Sequence, residues 1–191
     1  MKIGLFFGSF NPVHIGHLAI ANYIAEYTDL NQFWFVISPH NPLKDKETLL
    51  SDQIRLEMLE IAIEGDVRFA VCDIEFRMPQ PSYTIDTLTY LQEKHPRHEF
   101  VLIMGSDGLP TFHKWKNHDR IISGYHRMIY PRISDIDTNF EGHRNITLLS
   151  EAPKIEISSS FIRKAIREGK DIRHFLPSRV YEYIVKYNLY H

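Results

Sequence analysis

The stretch GSFNPVHIGH, Gly8–His17, holds two glycines, a proline and two histidines within ten residues. It follows the apolar run Ile3-Gly4-Leu5-Phe6-Phe7 and precedes GHLAIANYIAEY (16–27), where Leu18, Ala21, Ile24 and Ala25 recur at helical spacing. The junction therefore reads as strand, loop, helix, with the strand over 2–8 ended by Gly8. In an open α/β sheet, ligands gather at the carboxyl ends of the strands. Residues 8–17 are expected on that edge. Gly8 has no Cβ to block a close approach, and the free amides of the following helix start attract anions. Three-residue spacing can aim His14 and His17 at one point. Two imidazoles and several backbone donors suit a phosphate whose charge rises during reaction.

The alternation continues along the chain. Phe33–Ile37 is a second short apolar run, and Ser51 or Asp52 then caps a helix carrying Ile54, Met58, Ile61 and Ala62. Val67–Ile74 reads as strand, Ser82–Lys94 as helix, and Phe100–Met104 as a nearly pure apolar strand ending at Gly105. His126–Tyr130 and Ile146–Leu149 are weaker strands, and helices are expected over about 159–168 and 178–187. Residues 131–145 read as a polar, mobile loop. Strands alternating with helices predict an α/β fold: a Rossmann-like parallel sheet with helices on both faces. A small C-terminal helical appendage, about 155–191, completes a single domain over 1–191.

Composition narrows the function. The 191 residues carry a net charge of −2, so no global positive field exists to hold nucleic acid or an anionic membrane. Cys72 is the only cysteine, which fits a reducing, cytoplasmic setting. The first apolar run is cut short by Asn11-Pro12, too soon for a signal-peptide core. Neither a P-loop nor G-x-G-x-x-G nor H-E-x-x-H is present. Zinc at His14 and His17 finds no cysteine or carboxylate cluster nearby. A bare H-x-x-H is ordinary in a chain with eleven histidines; the glycines, the proline and the strand–loop–helix setting point instead to a ligand site. Self-association is left open by the sequence.

A second element stands about 140 residues further on. Ser158 to Ser160 can cap a helix with hydroxyls and amides facing an anion, and Arg163 one turn later can fork onto phosphate oxygens. Here the residues carry a resemblance. His14-Ile15-Gly16-His17 resembles the signature of the H-x-G-H nucleotidyltransferase superfamily, and Ile157-Ser158-Ser159-Ser160-Phe161-Ile162-Arg163 resembles its I-S-S-[ST]-x-[IL]-R element. Ser82-Tyr83-Thr84-Ile85-Asp86-Thr87-Leu88 is similar to the S-Y-T-x-D-T-L segment of nicotinate and nicotinamide mononucleotide adenylyltransferases. Gly105-Ser106-Asp107 matches their G-x-D, Phe112–Trp115 their F-x-x-W, and Ser38–Lys44 their P-x-x-x-x-K loop with altered residues between. His118 replaces a second tryptophan of many bacterial members, and Pro131-Arg132-Ile133 stands where R-P-G is common.

The resemblance implies roles. Gly8, Ser9 and Phe10 would border both nucleotides. Ser9 and Lys44 would hold the mononucleotide phosphate, Thr84 the pyridine substituent, and Trp115 would stack on the ring. Gly105 and Asp107 would meet the ATP ribose, and His14 and His17 the α-phosphate. Ser158, Ser159 and Arg163 would hold the β- and γ-phosphates. His14, His17 and Arg163 are the catalytic candidates. Mg2+ would ride on the ATP phosphates. The implied reaction is adenylyl transfer from ATP to nicotinate mononucleotide, giving nicotinate adenine dinucleotide and pyrophosphate. Nicotinamide mononucleotide or pantetheine phosphate as acceptor, and a non-catalytic nucleotide sensor, are the competing readings.

Overall fold

The computed structural model describes residues 1–39, 49–132 and 145–191. Six parallel strands form one sheet: β1 (Lys2–Gly8), β2 (Gln32–Ile37), β3 (Phe69–Cys72), β4 (Glu99–Gly105), β5 (His126–Tyr130) and β6 (Ile146–Leu148), in the order β3-β2-β1-β4-β5-β6. The helices are α1 (Ile15–Tyr27), α2 (Asp52–Ile63), α3 (Thr84–Lys94), α4 (His118–Gly124), α5 (Ser159–Arg167) and α6 (Ser178–Lys186). No helix among the described residues is long and apolar enough to cross a membrane.

Period-two alternation sends the central strands into two cores. Ile3 and Leu5 of β1, with Phe100, Leu102 and Met104 of β4, pack beneath α3 and α4. Phe6, Val101 and Ile103 point the other way, into a core shared with α1, α2, α5 and α6 through Ile24, Met58, Ile162 and Ile184. Burying each such side chain stabilises the fold by about 1.5–3 kcal/mol. Both faces are covered, which is why β1 and β4 read as continuous apolar runs rather than alternating ones.

The strand order reverses between β1 and β4. Connections leave these neighbours in opposite directions, opening a crevice at their carboxyl ends. Phe6 pairs with Ile103; two residues further on, Gly8 and Gly105 end their strands side by side at that opening.

Two expected bounds need correction, one open alternative is decided, and two elements are new. The third strand is shorter than Val67–Ile74, because Arg68 turns back onto Asp66 through its backbone and guanidinium, leaving Val67 exposed. Residues Ile74–Arg77 then close into a 3-10 turn. Ser51, not Asp52, caps α2, accepting from the Ile54 amide; Asp52 pairs with Arg55 one turn on. The third helix starts at Thr84 rather than Ser82. The 3-10 segment Ser106–Lys114 and helix α4 were not foreseen: Pro110 and Gly108 argue against regular structure, yet Leu109, Phe112 and Ile121 are buried on the sheet. The polar loop expected over 131–145 falls mostly outside the described residues.

Candidate active site

The loop after β1 is built around Phe10. Its φ is +44°, a conformation that a bulky residue holds only when its surroundings impose it. The ring is 1% exposed and lies against Phe6, Phe35 and His17. A Cβ on Gly8 would sit 2.8 Å from the Phe10 ring, so Gly8 is needed for Phe10 to fold under the loop. The Phe10 side chain therefore lies in the core, and only its backbone is available to a nucleotide.

The two histidines differ. His14 is 2% exposed, and its ring stacks on His17 with centroids 3.6 Å apart. Burial, and secondarily the Arg132 charge, push its pKa from 6.5 down to about 3. A neutral imidazole donates a single hydrogen bond, and His14 Nδ1 is buried without a partner. The backbone N–H of His14 donates to Nδ1 of His17 at 3.2 Å, so the hydrogen of a neutral His17 sits on Nε2. Gly16 completes the motif: a Cβ there would meet His14 Nδ1 at 3.0 Å and an Ile155 methyl at 3.1 Å. The glycine of H-x-G-H thus makes room for the first histidine against the segment that leads into α5.

The second motif docks directly on the first. Arg163 donates to the Asn11 carbonyl at 2.8 Å, and Ser159 Oγ to the Pro12 carbonyl at 2.9 Å. Ser158 caps α5, accepting from the Phe161 amide. On the far side of the crevice, Asp107 is exposed and pairs with Arg132 at 2.9 Å. A Cβ on Gly105 would lie 2.3 Å from Asp107 Oδ1 and would displace that carboxylate from its present position. Elements 8–17 and 158–163 are therefore in direct contact, while 105–107 holds Arg132, whose charge acts on His14. Lys44 lies outside the described residues.

The segments that hold Thr84 and Trp115 are also joined. Lys116 bridges their segments, pairing with Asp86 at 2.8 Å and lying 4.6 Å from the centroid of the Tyr83 ring. Asp86 is thereby turned to Lys116, and Thr84 and Trp115 are both partly exposed. Tyr83 caps α3 with no side-chain hydrogen bond, so the first amides of the helix keep their electropositive end.

Four residues escaped the sequence reading. Arg55 is fully buried and donates to the carbonyls of Ser9, Ser38, Pro39 and Leu50. Glu75 is 2% exposed and accepts from Ser82 Oγ (2.8 Å) and Thr87 Oγ1 (2.7 Å), fixing the turn before α3. Arg132 and Asn11 complete the set. A partial signal existed only for Arg132, which lies in the Pro131-Arg132-Ile133 stretch already singled out after the fifth strand.

The neutrality of His14 has a measurable consequence. The unfolded chain takes up a proton near pH 6.5, whereas the folded chain resists it until about pH 3. Stability from this group is complete above pH 6.5 and is lost as the pH falls toward 3. Between pH 7 and pH 5 the loss should be about 2 kcal/mol. Urea unfolding of the wild type and His14→Gln at both pH values isolates it. The same pH-dependent loss in both proteins would contradict a buried neutral imidazole.

The stacked imidazoles of the β1 loop and the serine–arginine start of α5 thus meet at the switch point of the sheet. The cytidylyltransferase-like family model matches residues 5–165. A Flavobacterium johnsoniae protein named a probable nicotinate-nucleotide adenylyltransferase is 54% identical over 192 residues, covering 100% of this chain and 99% of that protein. A Bacteroides fragilis protein of the same name is 46% identical, covering 97% and 92%. Among solved structures, Plasmodium falciparum nicotinic acid mononucleotide adenylyltransferase complexed with NaAD shares the fold, with a TM-score of 0.83 at 24% identity, covering 99% of this chain and 97% of that one. The chain belongs to the cytidylyltransferase-like family and, within it, to the nicotinate-nucleotide adenylyltransferases.

Proposed function

We propose that the chain transfers the adenylyl group of ATP to nicotinate mononucleotide. The observation that carries this is the docking of Ser159 and Arg163 on the Asn11-Pro12 carbonyls beside the two histidines. A mononucleotide phosphate oxygen attacks the α-phosphorus, the new P–O bond forms, and the bond to the β-phosphate breaks with its electron pair leaving on pyrophosphate. The attacking oxygen is already anionic, so no base is required; orientation and charge stabilisation lower the barrier. His17 donates from Nε2 to an α-phosphate oxygen as charge gathers there, and neutral His14 adds a second donor. Arg163 and the α5 start face the β- and γ-phosphates. Among the described residues, no three His, Cys, Asp or Glu side chains gather as metal ligands. Magnesium enters on the triphosphate, as part of the substrate.

The acid is favoured over the amide by what surrounds Thr84. The uncapped start of α3 offers amides and a positive dipole end to a pyridine carboxylate. Asp86, the nearest acidic side chain on the helix, is held by Lys116. Nicotinate mononucleotide should be preferred by about tenfold or more, equivalent to about 1.4 kcal/mol. An ATP-dependent assay offering nicotinate mononucleotide, nicotinamide mononucleotide and pantetheine phosphate in parallel decides it through kcat/KM. A preference for the amide would overturn the acceptor, and turnover of pantetheine phosphate alone would overturn the reading.

A further inference from the structure

The loop after β1 is tied down from the protein side. Arg55 takes the Ser9 carbonyl, Arg163 that of Asn11 and Ser159 that of Pro12. A fourth tie comes from the residues beyond α6: the Tyr190 hydroxyl donates to Asn11 Oδ1 at 2.9 Å. That oxygen also accepts the Leu50 amide, at 3.4 Å. Asn11 is 2% exposed, so solvent gives its carboxamide little support. The Tyr190 backbone adopts φ +69°, in the left-handed region that a tyrosine seldom enters unless its surroundings hold it there. Burial pushes its phenol well above the usual range, against the opposing charges of Arg163 and Arg55. The hydroxyl stays a donor.

The orientation of Arg163 depends on Asn11. Its bond to the Asn11 carbonyl is 2.8 Å, its bond to Ser160 Oγ is 3.3 Å, and its Nε is buried without a partner. A change in the Asn11 side chain therefore reaches the guanidinium through one residue. Tyr183 on α6 offers a contrast, since its hydroxyl reaches Glu57 on α2 at 2.5 Å and touches no loop residue in doing so. One phenol joins helix to helix; the other joins the end of the fold to the phosphate loop. We infer that Tyr190 is a positioning residue for adenylyl transfer: by holding Asn11 it sets the carbonyl that aims Arg163 at the triphosphate. The inference rests on the function proposed above.

Steady-state kinetics of Tyr190→Phe, Tyr183→Phe, Arg163→Lys and the 190/163 double variant test this. Tyr190→Phe should lower kcat/KM for ATP about fivefold, the factor one neutral hydrogen bond carries, with the mononucleotide KM unchanged. In the Arg163→Lys background the same change should have less than about a twofold effect, because the two residues act as one unit. Tyr183→Phe should lower the Tm and leave the kinetics as in the wild type. Amides of Val13–His17 should exchange with deuterium faster in Tyr190→Phe and not in Tyr183→Phe. Kinetics and exchange alike in the two phenylalanine variants would overturn the inference, as would a fivefold loss that persists in full beside Arg163→Lys. A wild type without ATP-dependent dinucleotide synthesis would reject the proposed function, and the exchange comparison would then decide the role of Tyr190 alone.

Discussion

His17→Ala is expected to turn over about 10²–10³ times more slowly than the wild type, the usual cost of losing one donor to transition-state charge. The geometry of the side chain suits that proposed role. Its Nδ1 is engaged by the His14 amide, which commits Nε2 to donation, and its ring is wedged between His14 and Phe10. The ring is only partly buried, so the alanine variant should lose no more than about 2 kcal/mol of stability. His17→Asn separates chemistry from loop geometry. An asparagine oxygen can accept the same His14 amide, yet it brings no donor to the Nε2 position. Both variants should therefore be comparably slow. A folded His17→Ala protein with an unchanged turnover number removes the histidine from the reaction; recovery in the asparagine variant makes it a loop support.

The sequence showed the sheet clearly where burial is two-sided. Between the charged Lys2 and Glu99 at their starts and the glycines at their ends, β1 and β4 run through Ile3–Phe7 and Phe100–Met104 without a polar side chain, a pattern that a strand with one solvated face does not produce. It showed the edges poorly, because β3 pairs on one side only and its start is shaped by the Asp66–Arg68 turn rather than by hydrophobicity. The chemical motifs were visible because they are local: His14 with His17, and Ser158 with Arg163. What joins them was not. Asn11 meets Tyr190 across 179 positions and Arg163 across 152, and nothing in either neighbourhood announces the other. The steric role of Gly16 is evident only once His14 turns its ring toward it. Glu75 carries no local signal of burial, because the groups that close over it, Ser82 and Thr87, lie seven and twelve positions further on.

Arg55 is the clearest case of this kind, and its removal should be the most damaging to the fold. Its pairing with Asp52 three positions back is of the kind that contributes little when both partners are solvated. In the structure its side chain is wholly buried while Asp52 stays 42% exposed. Burial lowers its pKa only against the pull of Asp52, and a guanidinium remains charged there. That charge is matched by four backbone carbonyls: Ser9 at 2.6 Å, Ser38 at 2.9 Å, Leu50 at 3.1 Å and Pro39 at 3.2 Å. One side chain thus fixes the loop after β1 to the loop after β2 and to the entry of α2. Met has a similar length and no donor. Arg55→Met should leave these carbonyls unsatisfied, at about 1–3 kcal/mol for each one that water does not reach. A total loss of about 4 kcal/mol or more is expected in urea unfolding. Where the variant is still folded, Ser9 loses its tether, and KM for the mononucleotide should rise more than KM for ATP. Lysine keeps the charge but presents three donors from one point instead of a planar fork, so Arg55→Lys should fall between the wild type and methionine. Stability of Arg55→Met equal to that of the wild type would show that the four carbonyls find other partners, and that the guanidinium is not what holds the two loops together.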